Sequence, residues 1–251
     1  MKSKTAFITG ATSGIGKATA EIFAKNNINL ILCGRRSERL VELKETLSKL
    51  TNVITLQFDV RDKEAVFKAV ENLPSAFKKI DILINNAGNA HGLSSIQDGS
   101  IEDWDAMLDI NVKGLLYVSK AIMPQMVSRN EGFIVNIGSI AGKEVYPNGN
   151  VYCASKHAVN ALNKAMRIDL NKHNIRVSAI HPGAVETEFS EVRFKGDIEK
   201  AKNVYAGYKA LQAIDIAEII YFVVTRPAHV NIEDLIVYPT AQASATILNK
   251  E

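Results

Sequence analysis

The chain has 251 residues, of which 47% are hydrophobic and 23% charged, an ordinary soluble globular composition with length enough for a sizeable core. The net charge is +3 and the basic residues are scattered rather than blocked, which argues against a nucleic-acid partner. Two cysteines, Cys33 and Cys153, are too few for a disulfide framework or a metal site, and no apolar run suits a signal core or a membrane span, so a cytoplasmic protein with no metal and no membrane partner is expected.

In chain order, short apolar runs alternate with longer amphipathic stretches. The first run, Thr5–Thr9, reads as a strand and leads into Gly10-Ala11-Thr12-Ser13-Gly14-Ile15-Gly16, followed at once by helical periodicity over Ile15–Lys25. Glycine at 10, 14 and 16 lets a diphosphate approach the backbone, helix N-terminal amides then face the anion, and Thr12 and Ser13 add hydroxyl donors. A glycine-rich turn between a first strand and a first helix is the context that gives such a motif meaning, so a nucleotide is expected here. The second strand, Asn29–Cys33, ends in Gly34-Arg35-Arg36. An NAD site usually carries an acid at this point, whereas two guanidinium groups suit a phosphate monoester through bidentate hydrogen bonds. NADP(H) is therefore expected over NAD(H), the alternative being that Arg35 and Arg36 only cap the loop before the next helix.

A helix over Ser37–Leu50, a strand over Val53–Phe58, a helix over Lys63–Leu73 and a strand over Ile80–Ile84 follow. Then come one long helix over Ile101–Met126, a strand over Phe133–Ile137 and a helix over Val151–Asn171. Tyr152 and Lys156 lie one turn apart near the start of that helix and project from one face. A tyrosine has an unperturbed pKa near 10, and a nearby ammonium favours its phenolate, so the pair can make an acid–base group. The bland alternative is a packed ring under a solvated amine. A strand over Arg176–Ile180, a helix over Asp215–Thr225 and a strand over Leu235–Tyr238 complete the pattern. Continuous apolar strands alternating with helices argue for a parallel sheet covered on both faces. No repeat or linker divides the chain, so residues 1–251 read as one domain. The polar stretch 188–207 follows the sixth strand at the carboxyl edge, where ligands bind in open α/β sheets, and is expected to be an irregular substrate lid, or else an inert surface excursion. The tail Thr240–Glu251 has no evident partner.

Gly10–Gly16 in this spacing, Asn85-Asn86-Ala87-Gly88, Asn111, Ser139 and Tyr152-x-x-x-Lys156 together resemble the short-chain dehydrogenases/reductases over nearly the whole chain. Gly34–Leu40, Ile137–Gly142, Glu188–Asp197, Thr225–Ile232 and Pro239–Gln242 look like one subgroup, the NADP-dependent 3-hydroxy acid dehydrogenases, which act on serine, allo-threonine and related short 3-hydroxy acids. The resemblance implies a Rossmann-type, doubly wound sheet of about seven parallel strands and a homotetramer.

It also implies roles. Tyr152 is the general acid/base, and Lys156 lowers its pKa and contacts the nicotinamide ribose. Ser139 donates to the substrate oxygen, the alternative being a turn cap. Asn111 holds a water that links Lys156 to solvent, the alternative being a buried amide that satisfies backbone. Gly10, Thr12, Ser13, Gly14, Ile15 and Gly16 cradle the diphosphate, and Asp59 and Val60 flank the adenine. Asn86, Ala87, Gly88, Pro182, Gly183, Val185 and Thr187 line the rest of the cofactor, while His181 reads as structural. A substrate carboxylate needs a cation, for which Arg193 and Lys195 are candidates and Lys143 an outsider, set against a solvated segment with no ligand contact. The expected activity is NADP(H)-dependent interconversion of a short 3-hydroxy acid and its 3-oxo form. A sulfoacetaldehyde or small-carbonyl reductase is the alternative. A non-catalytic NADP(H) sensor is disfavoured, because such proteins commonly lose the tyrosine or the lysine.

Overall fold

The computed structural model describes residues 4–251. Strand β1 (Thr5–Ile8) is followed by α1 (Gly14–Lys25), β2 (Asn29–Gly34), α2 (Ser37–Leu47), β3 (Val53–Gln57), α3 (Lys63–Glu71) and β4 (Ile82–Asn85). The second half holds α4 (Ile101–Leu108), α5 (Leu115–Arg129), β5 (Gly132–Ile137), α6 (Asn150–Leu170) and β6 (Ile175–Pro182). After these come β7 (Val185–Glu186), α7 (Phe189–Arg193), α8 (Ile198–Asn203), β8 (Leu211–Gln212), α9 (Ala213–Val224) and β9 (Asp234–Val237).

Seven strands form one parallel sheet in the order β3-β2-β1-β4-β5-β6-β9. Successive residues point to opposite faces, and both faces are covered. Ala6, Ile8, Leu30, Leu32, Ile82 and Ile84 pack with Phe23 of α1, Leu43 of α2 and Ile220 of α9. Phe7, Ile31, Leu83, Ile134 and Val177 pack with Val66 of α3, Ile122 of α5 and Met166 of α6. This two-sided burial is why the strands read as unbroken apolar blocks. Leu83 is fully buried, so truncating it to alanine would cost about 2–5 kcal/mol. Between β1 and β4 the strand order reverses direction, and the carboxyl ends of these two strands open the crevice that holds the site.

The long helix expected over Ile101–Met126 is helical throughout but carries a bulge. Ser100 caps α4 by accepting from the Asp103 amide at 3.3 Å, and a π-helical turn over Asp109–Gly114 joins α4 to α5. The turn holds Asn111, whose buried amide bonds outside the helix, and Gly114, where a Cβ would sit 2.7 Å from Val60 Cγ2. Such one-turn π bulges recur at functional sites.

Stretch 188–207 is also more regular than expected. It contains α7 and α8, tied down by buried Ser190 and Ala201 and by Asp197, which accepts from the Lys200 amide at 3.0 Å. The tail likewise has partners. Gln242 is buried and accepts from the Ala184 amide at 2.9 Å, Glu144 accepts from the Ala245 amide at 2.8 Å, and the Glu251 amide donates to the Gly207 carbonyl at 2.8 Å.

Candidate active site

The glycine turn is locked from behind. Thr9 Oγ1 donates to the Ile84 carbonyl (3.3 Å) and accepts from the amides of Asn86 and Ala87 (3.0 Å each). Asn86 Nδ2 donates to the carbonyls of Thr9 (2.9 Å) and Gly10 (3.1 Å). The ends of β1 and β4 are thus cross-tied, and the Asn86 amide is spent on backbone while its other atoms face the cleft. Gly10 has φ +64°, a conformation that disfavours side chains. A Cβ on Gly16 would lie 2.4 Å from the Gly10 carbonyl oxygen, so Gly16 serves the close approach of α1 to β1 and is not on the cleft wall. Ser13 precedes α1 without capping it through its side chain, so the first-turn amides face the cleft. Gly10, Thr12, Ser13, Gly14, Ile15, Asn86, Ala87 and Gly88 all line one cleft of about 470 Å³, and so do Arg35, Arg36, Asp59, Val60, Pro182, Gly183, Val185 and Thr187. That volume is in the usual range for small-molecule sites.

At one end of the cleft, Arg36 Nε and Nη2 donate to Thr12 Oγ1 (3.2 and 3.0 Å), and Nη2 also donates to Ser13 Oγ (2.8 Å). Arg36 therefore belongs to the glycine turn and does more than lead into α2. Its Nη1 donates to Glu188 Oε2 at 2.7 Å, and Arg39 Nη1 donates to Oε1 of the same carboxylate at 2.5 Å. Asp59 faces Arg61 (2.7 Å) and Arg35 (3.7 Å). Burial works upward on the Asp59 carboxyl, but these guanidinium groups hold it below the usual range.

At the other end lie Ser139, Tyr152 and Lys156, all on the cleft wall. Lys156 is buried, donates to the Ile137 carbonyl at 3.0 Å, and has its ammonium 6.0 Å from the Tyr152 ring centroid. Burial pushes it down to about 8. The expected lowering of Tyr152 by Lys156 is not what the structure gives. Burial, with Tyr146 next to it, pushes the phenol well above 10, and the Ser139 hydroxyl and Arg193 act against that rise. The dry cleft outweighs the charge because the lysine faces a carbonyl and not the phenol. Ser139 Oγ accepts from the Ala141 amide at 3.1 Å, so it caps the 3₁₀ turn Ile140–Gly142, and it shares the cleft wall with Tyr152.

Asn111 stands behind the wall. Its Oδ1 accepts from the Asn89 amide (2.9 Å), and its Nδ2 donates to the Asn89 carbonyl (2.8 Å) and Ser155 Oγ (3.0 Å). The side chain is thus held between the Asn89 backbone and Ser155. His181 is buried with Nδ1 3.2 Å from the Ser139 carbonyl oxygen, and burial and Lys143 push it down to about 4, so it is a neutral packing residue.

Three cations were candidates at the cleft mouth. Lys143 is bound to Asp234 and to Asn160 Oδ1 (2.9 Å), away from the cleft. Lys195 pairs with Asp103 at 3.0 Å and also stands off the cleft wall. Arg193 lines the cleft, with its guanidinium carbon 5.4 Å from the Tyr152 ring centroid. It donates to Tyr146 Oη (2.9 Å) and the Gly92 carbonyl (3.3 Å), and among the described residues no carboxylate pairs with it. Sequence reasoning missed Tyr146, Glu188 and Gln242, all on the cleft wall. The Tyr146–Tyr152 spacing carries no helical signal, since α6 begins only at Asn150.

The sequence profile of the family described as short chain dehydrogenase matches residues 4–197. The chain is 46% identical over 239 residues to the NADP-dependent 3-hydroxy acid dehydrogenase YdfG of Salmonella typhi, covering 95% of this chain and 96% of that one. It is 45% identical over 242 residues to sulfoacetaldehyde reductase 2 of Chromohalobacter salexigens, with 96% of each covered. The structure of a closed serine dehydrogenase complexed with NADP+ superposes with a TM-score of 0.93 at 43% identity, covering 98% of this chain and 99% of that one. With the seven-stranded parallel sheet, the glycine turn under α1 and the Tyr152–Lys156 pair, these likenesses show that the chain belongs to the short-chain dehydrogenase family of oxidoreductases.

Proposed function

We propose that this oxidoreductase interconverts a short 3-hydroxy acid and its 3-oxo form with NADP(H). The observation that carries the reading is Arg193, a guanidinium without a carboxylate partner among the described residues, set beside the Tyr152 ring at the cleft mouth. A carboxylate held there leaves the rest of a short substrate within reach of the phenol, and Arg binds such a group bidentately.

NADP(H) fits the cleft. The uncapped α1 amides with Gly10, Thr12, Ser13, Gly14 and Ile15 would hold its diphosphate, Gly16 giving the close helix packing, and Arg35 and Arg36 its phosphate monoester. Asp59 and Val60 would flank the adenine, and Asn86, Ala87, Gly88, Pro182, Gly183, Val185 and Thr187 would line the remainder, with Tyr152 and Lys156 at the nicotinamide ribose. When bound, this group supplies the hydride donor and acceptor. The chain moves the proton. Tyr152, protonated at neutral pH, is set to donate to a substrate carbonyl oxygen, with Ser139 Oγ beside it to share the negative charge that develops. In oxidation the phenol must first lose its proton, and the groups that act against its raised pKa are the Ser139 hydroxyl and Arg193. Asn111 positions Ser155 and the Asn89 backbone, and any water relay runs from its backbone and not from its side-chain donors.

A sulfonate would suit Arg193 equally, and the likeness to a sulfoacetaldehyde reductase favours that second reading. Turnover of L-serine, L-allo-threonine, 3-hydroxypropionate and a neutral alcohol with NADP+ and NAD+, and of sulfoacetaldehyde with NADPH and NADH, separates them. Higher kcat/KM for hydroxy acids than for the neutral alcohol, with NADP+ ahead of NAD+, is the expected result. Equal rates for the neutral alcohol would overturn the reading.

The same proposal takes residues 1–251 as one working unit, with 188–207 as its lid. It places the protein in the cytoplasm, where two buried free thiols are at home. It also takes the protein as a homotetramer, for which exposed Leu108, Leu116 and Ile168 on α4, α5 and α6 supply apolar surface; light scattering after size exclusion gives the mass. Among the described residues, no helix is long and apolar enough to cross a membrane.

A further inference from the structure

We propose that Glu188 is an internal stand-in for the cofactor's phosphate monoester, which must displace it from Arg36 and thereby reports its arrival to the substrate end of the cleft through α7. The proposal rests on the NADP(H) reading of the site.

The geometry is specific. Three of the hydrogen bonds of Arg36, from Nε and Nη2, are fixed by Thr12 and Ser13 in the glycine turn. Its Nη1 is taken by Glu188 Oε2 at 2.7 Å, and Glu188 Oε1 takes Arg39 at 2.5 Å. A carboxylate bridging two guanidinium groups on the wall of a nucleotide cleft makes the contacts that a phosphate monoester would make. An arriving phosphate needs the same N–H groups and brings like charge to the same place, so the two anions exclude one another. Both partners are about two-fifths exposed, so the bond is weak enough to yield.

Glu188 is also attached to what matters at the other end. It immediately precedes α7, a five-residue helix. Phe189, at the start of α7, packs against Tyr152 with ring centroids 5.6 Å apart, and Arg193, at its end, lies over the same ring. Releasing Glu188 therefore frees the N-terminal anchor of the segment that carries the substrate cation, while Ser190 and Arg193 keep their own bonds to Tyr205, Tyr146 and Gly92. A dinucleotide without the extra phosphate leaves the anchor in place. Part of the phosphate's binding energy is then spent on repositioning α7 and does not show as affinity.

The test uses calorimetric titration of the full chain and of Glu188→Gln and Glu188→Ala with adenosine 2′,5′-bisphosphate and with 5′-AMP, which lacks the 2′-phosphate. Amide exchange over residues 189–193 is followed in parallel. Both variants should bind the bisphosphate roughly two- to fivefold more tightly, the range of an exposed ion pair, and bind 5′-AMP unchanged. In the wild type, the bisphosphate should raise exchange in 189–193 and 5′-AMP should not, whereas the variants should exchange fast from the start. Weaker or unchanged bisphosphate binding in both variants would make Glu188 an aligner of Arg36 or a bystander and overturn the proposal, leaving the cofactor reading intact. A wild type that binds 5′-AMP as tightly as the bisphosphate would remove the cofactor reading and the proposal together.

Discussion

Lys156→Met should make the protein more stable while abolishing turnover. Lys156 is 6% exposed, and burial holds its ammonium near pKa 8 instead of the usual 10.5. At about 1.4 kcal/mol per unit, keeping that charge at pH 7 costs the fold about 3 kcal/mol. Methionine keeps an unbranched stem of similar length without the charge. It forfeits the 3.0 Å bond to the Ile137 carbonyl, worth roughly 1–2 kcal/mol once the acceptor is left unpaired. The net expectation is about 1–2 kcal/mol of stabilisation at pH 6.5. The sign follows from proton counts. The folded pKa is depressed, so between about 8 and 10.5 the unfolded chain binds more protons, and wild-type stability rises with pH across that window. The variant has no such group, so its advantage should shrink from pH 8 upward. Equilibrium urea unfolding of both proteins at pH 6.5, 8.0 and 9.5 reads this directly. A variant less stable at pH 6.5, or a stability gap that does not move with pH, would refute the reasoning.

Thr9→Val keeps the side-chain shape but removes the acceptor shared by the Asn86 and Ala87 amides, so urea unfolding should show a loss of about 2 kcal/mol or more. Cofactor affinity should fall with it, because the same bonds hold the glycine turn against β4. Tyr152→Phe should lower kcat by roughly 10²-fold or more, with the NADPH dissociation constant, read by fluorescence titration, changed little. Retained turnover in that variant would move the proton chemistry to another group.

Much of the architecture was legible because parallel strands covered on both faces are mostly apolar, and most of the seven sheet strands showed as such a block. The π turn at Asp109–Gly114 was hidden because it adds one residue inside a run that stays helical on both sides. Helices α7 and α8 span five and six residues, too short for a 3.6-residue period to declare itself. At the site, residue types were easier to read than partners. Asn86 and Asn111 stand where expected, but their amides are committed to backbone. Lys156 and Tyr152 share a wall, yet burial and not their mutual charge dominates both. Glu188 and Arg36 are 152 residues apart, and Gln242 reaches Ala184 from the tail, contacts that no local spacing announces.

The central claim is that Tyr152 chemistry is directed at a substrate carboxylate by Arg193. The most direct measurement is the change in KM on Arg193→Ala for a 3-hydroxy acid and for a neutral alcohol of similar size, with NADP+ saturating. Loss of a charge-assisted contact should raise KM for the acid roughly tenfold or more and leave the neutral alcohol within about twofold. An equal change for both substrates would contradict the account.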